Sequence, residues 1–277
     1  MKNARAISVY IALMVVSLSF ANPGHAEIDP QTCVGMWLFD EGEGDIAEDS
    51  SGNGNDGNIF DGTWVDGKLG KALEFDGVAS YVEVKNSDSL NPTEEISICM
   101  WIKPYAGMDC DAENNWRYLL NKGAWGSYHI IYEDNGLIRW TVLIEGGLKR
   151  FPTAGTYAPD QWSHLVFTYD AKESELRVYA NGIEEGNNGI EGAELEGSID
   201  IDTRILKIGG GNNNGCPAEA GFFNGIIDEM AIFNAVLLLD DVQVIMNEGL
   251  GQAVGKDEIA VSPGNKLATT WSVIKLQ

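Results

Sequence analysis

The chain has 277 residues, 44% of them hydrophobic, and sets 18 Lys and Arg against 42 Asp and Glu for a formal net charge of −24. That length admits one large β domain or two small ones. So acidic a surface repels phosphate backbones and anionic lipid, which argues against nucleic acid as a partner; it suits divalent cations outside a cell and equally a plain soluble exterior.

The first 26 residues read as a secretory signal. Lys2 and Arg5 precede an apolar run from Ile7 to Phe20, and Gly24-His25-Ala26 offers small residues for cleavage after Ala26. An uncleaved anchor is the alternative, but the run is short for a membrane span and no later segment approaches that length. Removal leaves 16 cations against 42 acids, a mature charge of −26 on a secreted chain with no membrane insertion.

From there the pattern is that of strands. Val34–Asp40 carries Trp37 and Phe39 on one parity, and a Gly-, Asn- and Asp-rich loop follows. Ala72–Phe75 and Tyr81–Lys85 flank an Asp76-Gly77 turn. In the second, Val82 and Val84 share one face while Tyr81, Glu83 and Lys85 take the other. Further strands are expected at Ile96–Lys103, Arg117–Asn121, Tyr128–Glu133, Leu137–Ile144, Trp162–Tyr169, Leu176–Ala180, Ile205–Ile208 and Gly225–Phe233. Asn181-Gly182 supplies the pair a type I′ turn requires. Adjacent apolar residues at Leu165–Phe167, Ile226-Ile227 and Ile130-Ile131 predict strands covered on both faces. Trp37, Trp101 and Trp162 fall inside strand motifs and are assigned to the core. One helix is expected from Leu238 to Glu248, where Leu238, Val242, Ile245 and Met246 share a face and Gly249 closes the end. Residues 27–250 then form one domain, and 251–277 an extended tail.

Of the four cysteines, Cys110 and Cys216 sit in polar loops and are expected to bridge them, while Cys33 and Cys99 are left open. The spacing offers no zinc or thioredoxin-type site.

The motifs G-M-W-L-F-D-E-G-E-G, D-S-S-G-N-G-N-D-G and K-A-L-E-F-D-G…Y-V-E-V resemble the opening of laminin-G-like jelly-roll domains of the concanavalin A-like lectin/glucanase class. I-S-I-C-M-W-I-K-P, W-S-H-L-V-F-T-Y-D, L-R-V-Y-A-N-G and F-N-G-I-I-D-E-M-A-I-F-N continue the resemblance in order from Val34 to Gly249. It implies an all-β, two-sheet antiparallel sandwich of about a dozen strands with one short C-terminal helix. Leu238 stands where the family usually opens that helix with Ser, so a cap of about 1 kcal/mol is missing. The class spans carbohydrate-binding modules, adhesion domains and glycosidases, so the fold fixes little of the activity.

Three chemistries follow. Asp228 shares its parity with Ile226, Met230 and Ile232, which would carry it inward. There it needs a cation or several donors, and calcium is the expected ion. Related folds hold a structural calcium between an early loop and the last strand, so Asp76 and Asp49 or Asn53 are the candidate partners. Alternatively Asp76 and Asp49 are turn formers, and Asp228 accepts backbone N–H groups. For sugar binding, Trp116 and Arg117, Trp125, and the amides Asn212, Asn213 and Asn214 could line one rim. An enzyme of the glucanase type would need E-x-D-x-x-E acids. The nearest match begins Glu74-Phe75-Asp76 but has Ala79 at the third position. His129 and His164 lie in separate strands with no metalloprotease or nucleophile motif. The expectation is a monomeric, non-catalytic, calcium-stabilised module for glycans, with a cell-surface protein partner or a glycoside hydrolase as alternatives.

Overall fold

A computed structural model of the chain describes residues 28–106, 116–123, 126–133, 135–152, 155–185, 195–211 and 221–255. The expected signal segment and most of the expected tail lie outside them. The described chain runs through β1 (Cys33–Trp37), β2 (Ile46–Ala47), β3 (Gly57–Phe60), β4 (Thr63–Asp66), β5 (Lys71–Asp76) and β6 (Tyr81–Val84). Next come β7 (Glu95–Pro104), β8 (Trp116–Lys122), β9 (Tyr128–Glu133), β10 (Ile138–Ile144) and β11 (Gly147–Pro152). The series closes with β12 (Ser163–Asp170), β13 (Glu175–Ala180), β14 (Ile183–Glu184), β15 (Leu206–Ile208) and β16 (Asn224–Phe233), then helices α1 (Leu239–Glu248) and α2 (Leu250–Ala253).

These strands form two antiparallel sheets of eight. The first runs β14-β13-β12-β7-β16-β5-β4, and the second β11-β10-β9-β8-β15-β6-β3-β2. β7 pairs along one edge of β16. The other edge is shared in succession, by β5 opposite Asn224–Ile227 and by β1 opposite Met230–Phe233. The main core lies between the sheets, built from alternate residues such as Ile98, Met100 and Phe167 on one side and Ile130, Trp140 and Val142 on the other. A second cluster covers the outer face of the first sheet, where Cys99, Val166 and Phe233 meet Val242, Ile245 and Leu250 of the helices. Burial on both faces explains the adjacent apolar pairs in those strands.

Several boundaries differ from the pattern. β1 stops at Trp37, because Phe39 turns into the left-handed region at φ 58. Trp37 and Trp101 are buried as expected, whereas Trp162 precedes β12 and is half-buried. β2, β3, β4, β11 and β14 were not signalled by alternation. Cys33 and Cys99 are buried. They sit on β1 and β7 with β16 between them, two strand spacings or ~9.6 Å apart across the sheet and two residues apart along it, beyond the ~7 Å Cα limit of a disulfide.

Parity fails at one place in β16. A bulge separates Asp228 from Ala231, with Glu229 at φ 49. Ile226 and Asp228 therefore face the outer side of the first sheet, with Ala231 and Phe233, while Ile227, Met230 and Ile232 face the main core. Asp228 is buried, but not in the interior between the sheets.

Candidate functional site

Asp228 is fully buried. Its Oδ2 accepts the Lys68 and Leu69 amides at 2.7 and 3.0 Å, whereas Oδ1 has no hydrogen-bond partner. Burial raises its pKa to about 7 against the opposing pull of the Leu69, Lys68 and Glu229 amides, and the charge of Asp40 adds to the rise. The same β4–β5 turn touches both acids. A Cβ on Gly67 would stand 2.6 Å from Asp228 Oδ2, and one on Gly70 would stand 2.0 Å from Asp40 Oδ1.

The other expected calcium partners are committed elsewhere. Asp76 Oδ1 accepts the Val78, Ala79 and Ser80 amides and the Ser80 hydroxyl, and these bonds hold its pKa near 2 despite burial, the largest opposing influence. It also pairs with Asn224, four residues or ~13 Å along β16 from Asp228. Asp49 accepts from Met36, Ser51 and Asn55, and Asn53 donates to the Cys33 carbonyl. These are turn and loop roles, and Asp228 accepts backbone amides. Among the described residues no group of three or more His, Cys, Asp or Glu is placed to hold a metal.

The arrangement with most chemical potential lies on the second sheet. The main core takes Val82, Val84, Leu120, Ile130, Val142 and Leu206 from its strands. The alternate residues therefore face outward, and strand register lines them up in one row. Arg150 lies opposite Thr141, Thr141 opposite His129, and His129 opposite Asn121. Asn121 lies opposite Lys207, Lys207 opposite Glu83, and Glu83 opposite Asn58. Seven neighbouring strands thus present a polar residue at one level, a span of ~29 Å. At its centre Thr141, His129 and Asn121 are buried, and neither Thr141 Oγ1 nor Asn121 Oδ1 has a hydrogen-bond partner.

A second row beside it is aromatic. Tyr118 lies opposite Ile131 and bridges to Phe222, and Tyr81 lies opposite Phe60. Phe60 and Tyr81 stack at 4.7 Å, and Phe222 stands 6.1 Å from Tyr81. Gly210 and Gly211 let the backbone pass under these rings, since a Cβ there would meet Tyr81 at 2.7 Å or Tyr118 at 2.1 Å. Lys207 Nζ lies 4.3 Å from the Tyr81 ring centroid, and burial lowers its pKa against the opposing charge of Glu83. Tyr118 meets His129 edge-on at 5.8 Å. Burial, helped by the charges of Arg150 and Arg139, brings His129 down to about 3, so it is neutral at pH 7.

Of the expected sugar-binding residues, Trp116 lies on this outward face opposite Glu133, half-buried at the start of β8. Arg117 points the other way in the alternation and is buried opposite Tyr132. Trp125, Asn212, Asn213 and Asn214 lie outside the described residues, as do Cys110 and Cys216 of the expected disulfide. His164 belongs to the first sheet, buried 5.1 Å from the Trp101 ring, with both ring nitrogens unpartnered. The row itself was not found from the sequence, apart from the outward side of β6 with Tyr81 and Glu83.

No helix among the described residues is long and apolar enough to cross a membrane. No curated protein matches the chain. Among solved structures, the binding domain of Paraclostridial Mosquitocidal Protein 1 superposes with TM-score 0.62 at 18% identity, over 79% of this chain and 52% of that one. The receptor binding domain of botulinum neurotoxin D gives 0.59 at 14%, over 78% and 52%. Domain 4 of an extracellular arabinanase from Geobacillus stearothermophilus, solved with arabinotriose, gives 0.56 at 19%, over 78% and 98%. The chain spans about half the length of the two toxin domains, and likeness at such identity shows the fold alone. The family profile is stronger: it covers residues 76–243, most of both sheets, and the chain belongs to the laminin-G-like family of the concanavalin A-like lectin/glucanase superfamily.

Proposed function

We propose that the chain is a secreted, non-catalytic recognition module that holds a carbohydrate across the outer face of its second sheet. The observation that carries this reading is the register-aligned polar row beside an aromatic one. Rings offer apolar faces to a sugar, and side-chain amides and hydroxyls meet its hydroxyl groups. Leaving a buried polar group unmet costs about 1–3 kcal/mol. At Thr141 and Asn121, whose unpartnered atoms are sealed from solvent, a bound water would recover that loss, and a sugar would meet the reachable rings of Phe60, Tyr81 and Trp116. The arabinanase domain of the same fold, solved with arabinotriose, supports the ligand class.

The same face argues against hydrolysis. The acids on its strands are Glu83 on β6 and Glu133 on β9, three strand spacings or ~14 Å apart across the sheet and four residue positions apart along it. Glycosidase carboxylates stand at about 5–9.5 Å. Glu74, which begins the nearest glucanase-like motif, is in the first sheet and accepts the Tyr105 hydroxyl at 2.5 Å. The toxin receptor-binding relative favours a second reading, a protein partner on a cell surface. Calcium belongs to the proposal as a stabiliser, with Asp228 and Asp40 as the carboxylates that would hold it at the β4–β5 turn.

The test is electrophoresis of the purified chain through gels containing individual soluble polysaccharides. Retardation by at least one polymer is expected, and Tyr81→Ala or Trp116→Ala should weaken it about tenfold while thermal melting stays near wild type. Release of reducing sugar would make the chain an enzyme. Binding to a cell-surface protein but to no glycan would favour the second reading.

A further inference from the structure

We infer that the chain carries a second sugar site, on the outer face of the first sheet around Tyr105, and that the two sites together let it bridge two neutral polysaccharide strands. This rests on the carbohydrate reading above and adds a second contact surface to it. The helices cover one end of that outer face, over Cys99, Ala231 and Phe233. The other end of the same strands, around Lys103, Asn224 and Ile226, lies outside that cluster.

Register puts Glu74 opposite Ile226 and Ile226 opposite Lys103. Trp162 directly precedes the Ser163–Ile102 pair, which sets it level with Lys103. Tyr105 continues β7 by one residue and donates its amide to the Asn224 carbonyl. Its hydroxyl reaches further, to Glu74 on β5, where it donates at 2.5 Å. The two Cα atoms are then ~12 Å apart, two strand spacings across the sheet and two residues along it. Side chains close such a gap only by lying across the intervening strand. The Tyr105 ring is therefore laid over β16, where Ile226 is 5% exposed. Tyr105 itself is half-buried, which leaves a ring face to solvent. Burial and the Glu74 carboxylate raise its pKa to about 12, so the hydroxyl keeps its proton and the ring stays pinned at neutral pH.

Around this platform the polar groups are reachable. Glu74, Lys103 and Trp162 are half-buried, and neither Lys103 Nζ nor Glu74 Oε2 has a partner among the described residues. A ring held flat in advance loses little freedom when a ligand stacks on it. A sugar there would offer its hydroxyls to the Glu74 carboxylate, an acceptor, and to the Lys103 ammonium, a donor. Those charges flank Ile226 from opposite sides, and the exposed Asp160 also bears on Tyr105. An anionic ligand would meet Glu74 and Asp160, and a cationic one Lys103, so the platform selects against charge of either sign. The outer faces of the two sheets point away from each other across the main core. One strand of polymer lying on the platform cannot also lie on the polar row, whereas two strands would be tied together through the protein.

The experiment mixes the purified chain with linear arabinan, galactomannan, mixed-linkage β-glucan and dextran, all uncharged. At least one polymer should precipitate, with turbidity passing through a maximum as polymer is added, because excess polymer occupies each site separately. Calorimetry with a short oligosaccharide of that polymer should count two sites per chain. Tyr105→Ala should leave one site and abolish precipitation while the polymer still retards the protein in a gel. Tyr81→Ala should likewise leave one, on the opposite face. Trp162→Ala is the second variant at the platform, ahead of β12 and outside its ladder, and should weaken the Tyr105 site about tenfold in a protein that melts like wild type. A count of one that Tyr105→Ala and Trp162→Ala leave unchanged and Tyr81→Ala removes would overturn the inference while the carbohydrate reading stands. Retention of no polymer at all would overturn both.

Discussion

His164 shows how far a single buried side chain can govern the response to acid. Burial holds its pKa down to about 3, from an ordinary 6.5. Between those values the unfolded chain binds a proton that the folded chain refuses. The contribution is therefore intact above about pH 6.5 and is lost as pH falls toward 3, at about 1.4 kcal/mol per unit. His129 is displaced in the same direction to about 3 and adds to the loss. The melting temperature should drop between pH 7 and pH 4.5, and His164→Phe should drop less than wild type across the same range. Identical slopes for the two proteins would show that His164 takes no part. The position of His164 in a strand was readable from W-S-H-L-V-F. Its isolation between Trp101 and Asn181 was not, because one neighbour comes from β7 and the other from the turn after β13.

Among the elements, α1 carries an unfinished N-terminus. Leu238 at the N-cap has no side-chain acceptor, although Asp241 returns one bond to the Leu238 amide at 2.8 Å. Leu238 is 58% exposed, so replacing it sacrifices little packing. Leu238→Ser should stabilise the fold by about 1 kcal/mol, measured by urea unfolding, since its hydroxyl would complete the reciprocal pair. The helix and the long strands were legible because each buries a face with its own period. The strands that escaped are short or polar. β14 is two exposed residues, and β4 buries none of its four. The bulge at Glu229 hid in the same way. Alternation across Ile226, Asp228, Met230 and Ile232 looks continuous in the sequence, and only the positive φ of a non-glycine residue breaks it. The polar row was invisible for a related reason. Its seven members come from seven strands, and the sequence does not state the register that aligns them.

At the scale of the whole molecule, the acidic balance and the split edge of β16 act together. Asp40 acts on Asp228 where β1 gives way to β5, while the Glu229 carboxylate is committed to the Leu250 amide of α2. A divalent cation at this junction would tie the early loop, the β4–β5 turn and the last strand in one stroke. Calcium at a hundredfold excess over its dissociation constant should stabilise the fold by about 2.7 kcal/mol. A chelator should reverse the gain, and Asp228→Asn should remove the response. Thermal melts that ignore calcium in the wild type would dismiss the ion.

The same shared edge constrains how the protein comes into being. β16 is the only described strand that β1 pairs with, and it also supplies an edge to β5 and to β7. Residues 33–37 must therefore wait for partners nearly two hundred positions downstream before their ladder can close. A nascent polypeptide released or halted short of Asn224 would hold half a sandwich with open seams, prone to sticking to its neighbours. Synthesis has to pass β16 before the first sheet can zip shut, which keeps that sheet unfinished until its central strand has emerged.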